Sequence, residues 1–292
     1  MNRRVWAVFL MLCLLSGSGW ILDEWWTSPL SGLGRSAWHE ALLALLFGGA
    51  YRTRRRAGEG GKAWGRIAAW GAGMIGVPQM VIAGTGGRIS GFTEVLVFTL
   101  VPAIVVILEA QREGLGSGED SLGKLGPAIA GVGGAALILP FALPESLAGW
   151  LGMAALVAAA VLSGLAAVRL HGLLRGRDVL WSTAVICGAC AVVCAIGAAV
   201  LRPQVRSGSV RDWVIEAAVC LFVDGAVLFV LVWLVGEMKP VGFAARYLLI
   251  PAITVVEGFV LLRPEFGWTL GLGLALLVGG GVMLVRRTEN LV

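Results

Sequence analysis

Residues 91–110, GFTEVLVFTLVPAIVVILEA, decide the fold class of this chain. They form an apolar run long enough to cross a bilayer, with Pro102 near the middle and Glu109 seven residues later. Residues 241–262 repeat the central pattern, since IPAITVVEGF at 250–259 echoes VPAIVVILEA at 101–110. In this second copy Pro251 is followed six residues later by Glu257. Two such runs at matching places indicate a duplicated membrane unit.

The composition is that of an integral membrane protein. Hydrophobic residues make up 58% of the 292 residues, and charged residues only 14%. A soluble domain needs more polar surface, so most helices must face lipid or one another within lipid. The net charge of +5 does not indicate nucleic-acid binding, because its largest cluster, RTRRRAGEGGK at 52–62, is one short loop beside an apolar run. We therefore expect no nucleic acid among the partners.

Ten apolar runs predict an all-α protein with ten transmembrane helices. Runs of about 20 residues match a hydrocarbon core of about 30 Å. The first run also resembles a signal peptide, but we expect it to remain as a span because apolar character resumes through Trp20, Ile21 and Leu22. The predicted spans are residues 1–22, 36–51, 64–84, 89–110, 124–142, 146–168, 179–201, 213–236, 241–262 and 267–285.

Basic residues predict the orientation of these spans. If the amino terminus is cytoplasmic, most of the 23 Lys and Arg residues lie on the inner side. This asymmetry predicts a multi-pass protein of the cell (inner) membrane with both termini in the cytoplasm. Five spans per half is an odd number, so the repeat at 143–292 must be inverted relative to the repeat at 1–142. Inverted repeats are typical of transporters, in which one half rocks against the other around a central site.

The layout resembles the drug/metabolite transporter superfamily, in particular its EamA-type members. The residues that carry the resemblance are Pro102 with VGG at 132–134, and Pro251, Glu265 and GLGLALLVGGGVML at 271–284. The resemblance covers nearly the whole chain. It implies two inverted five-helix repeats, alternating access, and export or exchange of a small polar metabolite or drug-like compound.

Other motifs have simpler interpretations than an active site. Cys187, Cys190 and Cys194 share a helical face, but no second pair of metal ligands accompanies them, and cysteine packs well between helices. The GxGxxG pattern at 71–76 lies inside an apolar run, where small residues let helices approach closely. Two histidines, His39 and His171, are interpreted as polar residues at span ends. No nucleotide-binding or hydrolase motif occurs, so we expect no enzyme activity, metal or cofactor.

Ionisable and amide side chains within the predicted spans are the candidate site residues. Charged groups cost about 2.5–3.5 kcal/mol each on insertion scales, so they normally face the bundle interior or a wet cavity. A first set lies in the outer third of the membrane, and Glu94 and Glu257 are expected to share one cavity at similar depth. These residues predict a pathway for a cationic or zwitterionic metabolite, or for a coupled proton; the alternative is that each carboxylate reaches the interface or caps a helix. The set is Glu40, Gln79, Glu94, Glu216 and Glu257.

Asp224 and Arg246 form a second, deeper candidate pair. Asp224 lies about 18 Å into its span from the outer face, and Arg246 about 10 Å into the next span from the inner face. We expect both to face the interior, and either to pair directly or to share a polar group of the substrate. A purely structural ion pair is the alternative, and Pro102 and Pro251 are candidate hinge or packing residues.

Transport is the function that the sequence favours, with a small molecule, coupled protons and membrane lipid as partners. An integral membrane enzyme or lipid-handling protein is the alternative, and a partner-binding membrane scaffold is a third. The sequence leaves the substrate, the coupling ion and the oligomeric state open, with a homodimer compatible with the layout.

Overall fold

The computed structural model describes residues 3–26, 28–30, 32–54, 63–113, 118–201, 208–263 and 267–289, and these ranges are helical, with no strand. Their helices are α1 (Arg3–Gly17), α2 (Gly19–Trp25), α3 (Gly32–Arg54), α4 (Trp64–Gly71), π1 (Ala72–Gly76), α5 (Val77–Thr85), α6 (Gly91–Phe98), α7 (Val101–Glu113), α8 (Gly118–Ile138), α9 (Leu147–Leu174), α10 (Val179–Leu201), α11 (Val210–Val219), π2 (Cys220–Asp224), α12 (Gly225–Glu237), α13 (Pro240–Ala244), α14 (Arg246–Leu262) and α15 (Trp268–Glu289).

Eight helical segments are long and apolar enough to cross a membrane, which makes the chain an all-α, multi-pass membrane protein. The two other predicted spans also fall on helices, α3 and α8, but neither meets the same length and composition criteria. Ten spans therefore remain a prediction. The eight segments are Arg3–Leu22, Trp64–Thr85, Gly91–Arg112, Leu147–Leu174, Val179–Leu201, Val210–Glu237, Pro240–Leu262 and Trp268–Thr288.

Two helix pairs pack along most of their length, α3 with α10 and α8 with α15. The second pair is close because glycines lie at the crossing: a Cβ on Gly134 would be 2.5 Å from the Gly273 carbonyl oxygen, and a Cβ on Gly280 would be 2.5 Å from that of Pro127. Side chains there would force the helices apart. Around these pairs, α9 packs against α4, α5, α7 and α12, while α1 packs against α12 and α14.

The packing interpretation of the GxGxxG pattern at 71–76 is confirmed. A Cβ on Gly71 would be 2.6 Å from Ile186 Cγ1, and one on Gly76 would be 3.2 Å from Cys190 Cα. Both partners belong to α10, so these glycines let α10 lie directly against the backbone of the α4–π1–α5 segment.

Helix interruptions near the two predicted hinge prolines differ. The run predicted at 89–110 divides into α6 and α7 at Thr99 and Leu100, just before Pro102. A proline ring clashes with the carbonyl four residues earlier and offers no N–H, which accounts for this break. Pro251, in contrast, lies within α14, and the break in that span is at Ala245. Glu265, which carries part of the family resemblance, lies outside the described residues.

Two membrane-spanning segments contain a short π-helix. In Trp64–Thr85 it is π1, and in Val210–Glu237 it is π2. A π-turn uses hydrogen bonds from residue i to i+5, so it accommodates an extra residue and rotates everything that follows. Both π-helices lie next to the candidate functional site.

Candidate functional site

A cavity of about 320 Å³ opens among α2, α3, α5 and the helix Val210–Glu237. Along that last helix the lining runs from Val219 to Leu228, a rise of roughly 14 Å. The cavity therefore reaches well into the membrane-spanning part of the bundle. Its lining residues, which define the charged cavity, are Gly19, Leu22, Arg35, Ser36, His39, Glu40, Gln79, Val219, Val223, Asp224, Val227 and Leu228.

His39 bridges two carboxylates at the charged cavity. Its Nδ1 lies 2.6 Å from Asp224 Oδ2, and its Nε2 lies 2.8 Å from Glu216 Oε1. The histidine is only 6% exposed, whereas the Asp224 side chain is 39% exposed and faces the cavity. The interpretation of His39 as an interfacial residue is therefore wrong, because its ring is the buried centre of an ion-pair cluster.

This bridge holds a proton. Ionised carboxylates only accept hydrogen bonds, so two of them can contact both ring nitrogens only if the imidazole carries two N–H groups. If the ring is neutral, one of the carboxyl groups must supply the hydrogen instead. In either arrangement the three side chains together carry one proton more than they would if the imidazole were neutral and both carboxylates were ionised.

Glu216 is fully buried, and its carboxylate is well satisfied. Oε1 accepts from Arg35 Nε at 2.7 Å as well as from His39, while Oε2 accepts from Trp26 Nε1 at 2.9 Å. Charge-assisted bonds of this kind are what make a buried carboxylate tolerable. Of the two adjacent tryptophans, Trp26 thus turns inward, and Trp25 is 85% exposed.

The π2 helix explains how Glu216 and Asp224 reach the same imidazole. They are eight residues apart, and eight residues of a regular α-helix make about 2.2 turns, which would offset their side chains by about 80°. The wider turn of π2 absorbs the surplus residue and brings the two carboxylates onto one face.

Glu40 differs from Glu216 although both are buried. Glu40 is 3% exposed, and its Oε2 has no hydrogen-bond partner among the described residues. The thiol of Cys187 lies beside the carboxyl group. The neighbouring amide, Gln79, uses Oε1 to accept from Cys194 Sγ at 3.2 Å.

The five cysteines, Cys13, Cys187, Cys190, Cys194 and Cys220, are all buried, and none of them forms a disulfide. This agrees with the interpretation of these residues as small packing side chains. The described residues contain no group of three or more His, Cys, Asp or Glu side chains suited to hold a metal ion.

Three predicted site residues, Glu40, Gln79 and Asp224, lie together at the charged cavity. The structure does not bring Glu94 and Glu257 there.

Glu94 and Glu257 are instead satisfied by hydroxyl and indole groups near them. Glu94 accepts from Thr85 Oγ1 at 2.8 Å, and Glu257 accepts from Ser18 Oγ at 2.5 Å and Trp20 Nε1 at 3.3 Å. Within the described residues the two carboxylates thus have different donors, and the cavity expected between them stays a prediction.

Asp224 and Arg246 do not pair directly among the described residues, since Asp224 bonds to His39; the alternative, that they share a polar group of the substrate, stays a prediction. Arg246 is 6% exposed and does face the interior. Its guanidinium stacks on the rings of Phe243 and Tyr247, with centroid distances of 4.2 and 4.7 Å, and Nη2 donates to Tyr247 Oη at 2.9 Å. Its Nε has no partner among the described residues.

Tyr247 connects Arg246 to the core. The Tyr247 hydroxyl lies 2.8 Å from Ser163 Oγ, which also donates to the Met74 carbonyl in π1 at 3.2 Å. A polar chain therefore crosses from α14 through α9 to π1. Arg246 is held by aromatic rings and a hydroxyl instead of by a carboxylate.

Sequence reasoning missed how Arg35, His39 and Trp26 converge on Glu216. Each lies about 180 residues away from that acid along the chain. The one local signal was the pair His39–Glu40 beside Arg35 at the start of an apolar run, since three ionisable groups within two turns of a membrane helix rarely all face lipid.

No protein-family model matches the chain, and no curated protein matches it in sequence. A solved structure described only as "Crystal structure of protein" is similar to it, with a TM-score of 0.72 and 16% sequence identity over 99% of both chains. At this identity the likeness shows a common fold alone. The helical architecture of the chain is thus one that an experimentally determined structure also has.

Proposed function

We propose that this protein is a secondary transporter that moves a small cationic or zwitterionic metabolite across the cell membrane by alternating access. Glu40 carries this proposal. Its carboxyl oxygen is buried at a cavity inside the bundle and lacks a hydrogen-bond partner among the described residues. Burying such a group without a partner costs free energy, so a ligand that supplies a donor would bind there favourably.

The chemistry of the charged cavity favours a ligand with an ammonium group. Glu216 is saturated by its donors, but Glu40 Oε2 is free, and Asp224 forms its one hydrogen bond among the described residues through Oδ2. Two carboxylate oxygens, Oε2 of Glu40 and Oδ1 of Asp224, can thus still accept a hydrogen bond from a ligand. Aliphatic side chains such as Val223, Val227 and Leu228 line the rest. A volume of about 320 Å³ lies at the lower end of the range for small-molecule sites.

The helix arrangement supports an inverted repeat like that of the drug/metabolite transporter superfamily. Counting ten helical segments, the second helix of each half packs on the other (α3 and α10), and so does the fifth (α8 and α15). The third segment of each half contains a π-helix, and the fourth is interrupted, at Thr99–Leu100 and at Ala245. Irregular helices of this kind let one part of a transporter bend against another.

The proton in the His39 bridge supports coupling to protons. Substrate binding at Glu40 or Asp224 would alter the charge balance beside His39, which bonds to Asp224 directly. A ligand that breaks the contact between His39 and Asp224 would therefore change how the hydrogens of this bridge are shared.

Transport by reconstituted protein tests the proposal. Purified protein in liposomes on a solid-supported membrane is exposed to amino acids, nucleosides and primary amines, and charge movement is recorded. We expect currents from solutes with an ammonium group, and none from their hydroxyl analogues. Glu40→Gln should abolish the currents, whereas Glu145→Gln, an exposed carboxylate outside the cavity, should not change them.

Thermal shift of the purified protein against the same solutes gives an independent measure of binding. Currents that are equal for Glu40→Gln and wild type, or an absence of both currents and thermal shifts for all ammonium solutes, would overturn the proposal.

A further inference from the structure

A second cavity, of about 540 Å³, lies at the opposite end of the bundle. The helix Val210–Glu237 lines the charged cavity between residues 219 and 228, and it lines this second cavity with its C-terminal end. The volume lies within the range of small-molecule sites. The lining residues, which define the basic cavity, are His171, Arg175, Gly176, Gly236, Glu237, Met238, Lys239, Gly242, Val285 and Thr288.

Basic side chains predominate around the basic cavity. Arg175, Lys239 and His171 face one acid, Glu237. A smaller cavity of about 90 Å³ shares Gly176, Gly236 and Glu237 with it and adds Arg177. Neither Arg175 nor Lys239 forms an ion pair with the described residues, so no described carboxylate neutralises their charges.

His171 is oriented toward a ligand by a bond to the backbone. Its Nδ1 lies 2.9 Å from the Val235 carbonyl oxygen, which can only accept, so Nδ1 carries the hydrogen. Nε2 has no partner among the described residues. Nε2 is an acceptor in the neutral ring and a donor in the doubly protonated ring, and only the donor form can bond to an anion.

The basic cavity lies at the end of the bundle where basic residues collect. The carboxyl end of α3 carries Arg52 and Arg54, and that of α15 carries Arg286 and Arg287. Helix α3 begins at the charged cavity, so its carboxyl end lies at the opposite end of the bundle. Excess Lys and Arg mark the cytoplasmic side, whose leaflet is rich in anionic lipid.

We infer that the basic cavity binds a phosphate-bearing anion, with Arg175 and Lys239 as its charge partners and His171 Nε2 as a hydrogen-bonding group. The ligand is either the phosphodiester headgroup of an anionic lipid or a free phosphate, since both present the same oxygens. Glycines at 176, 236 and 242 leave room for the anion, and Met238 and Val285 offer apolar surface beside it. This site is separate from the charged cavity and does not depend on transport.

Native mass spectrometry of the full-length protein in detergent tests the inference. Phosphatidylglycerol and phosphatidylcholine with the same acyl chains are added in turn, and the bound fractions give dissociation constants. We expect phosphatidylglycerol to bind at least tenfold more tightly than phosphatidylcholine. The double variant Arg175→Gln/Lys239→Gln should bind phosphatidylglycerol about 30-fold more weakly than wild type. The reason is that each of the two basic residues attracts the anionic headgroup, and the variant loses both.

Two further variants guard against misfolding and general charge effects. Arg175→Lys/Lys239→Arg keeps both charges and should bind within about threefold of wild type. Arg52→Gln/Arg54→Gln removes two charges at the same end but outside the cavity, and should also bind within about threefold.

Inorganic phosphate distinguishes the two sources. If it displaces phosphatidylglycerol, the site recognises the phosphate group in either form; if it does not, the lipid headgroup is the ligand. Equal affinity for both lipids together with no phosphate-induced thermal shift would overturn the inference. So would a wild-type lipid affinity in the double glutamine variant.

Discussion

The charged cavity and the basic cavity differ in how their charged side chains are stabilised. Beside the charged cavity, Glu216 is fully buried and bonds to Arg35, His39 and Trp26. In the basic cavity, Arg175 and Lys239 are exposed and form no ion pair with the described residues. Water stabilises charges at the bundle end, whereas in the interior only a partner can. An unpaired charge therefore changes the free energy of unfolding little at the end of the bundle and strongly inside it.

Glu40 is an exception among the buried charged groups, because it lacks the partner that Glu216 has. It is nearly as buried as Glu216, yet one of its carboxyl oxygens has no partner among the described residues. The contrast predicts a large loss of stability when a paired interior charge is removed, a gain when Glu40 is replaced by an apolar residue, and almost no change at the basic cavity.

The largest effect is expected for Glu216→Ala. This change leaves Arg35 and His39 without their buried acceptor, and it should lower the free energy of unfolding by about 3–5 kcal/mol. Denaturant unfolding in bicelles measures the loss. Glu237→Ala, at the exposed end of the same helix, is the control; a loss below about 1 kcal/mol in Glu216→Ala would contradict the role of the ion-pair cluster.

A smaller effect of opposite sign is expected for Glu40→Leu. Replacing a buried polar group that lacks a partner by an apolar one should raise the free energy of unfolding by about 1 kcal/mol while ending transport. The same unfolding assay and the liposome currents measure the two outcomes. Destabilisation by more than about 1 kcal/mol would mean that Glu40 is a structural residue.

The smallest effect is expected at the basic cavity. Arg175→Gln and Lys239→Gln should each change the free energy of unfolding by less than about 0.5 kcal/mol in lipid-free detergent, because both side chains are exposed. Thermal unfolding with and without phosphatidylglycerol checks this. A large loss without lipid would show that these residues stabilise the helix ends themselves.

Much of the fold could be predicted because long apolar runs have few alternatives in a membrane. All ten predicted spans fall on helices, although two of these helices, α3 and α8, are not among the eight that are both long and apolar enough to cross a membrane. The breaks at Thr99 and Ala245 were not predicted, and neither were π1 and π2. Reading apolar residues with a period of 3.6 assumes that every helical turn is regular. A turn with an added residue, or a break in the helix, therefore cannot be predicted in this way.

The candidate site could be predicted only in part. Depth along a span singled out Glu40 and Asp224 as candidates, because a buried ionisable group is costly wherever it lies, and both line the charged cavity. Depth does not say which way a helix faces, and neither Glu94 nor Glu257 lines the charged cavity. The link from His39 to Glu216 is tertiary and depends on the rotation that π2 introduces.

Cysteine labelling at position 228 tests whether the charged cavity opens in turn to each side of the membrane. Leu228 lies at the inner limit of the charged cavity along its helix. The five buried native cysteines are replaced by alanine, Leu228→Cys is added, and a membrane-impermeant methanethiosulfonate is applied to right-side-out or inside-out vesicles. Val192→Cys, at an exposed apolar position of α10, is the control that lipid should protect.

Alternating access predicts that Leu228→Cys reacts from both sides of the membrane, while Val192→Cys reacts from neither. Reaction of Leu228→Cys from one side only would contradict the transporter account and would favour a fixed pocket.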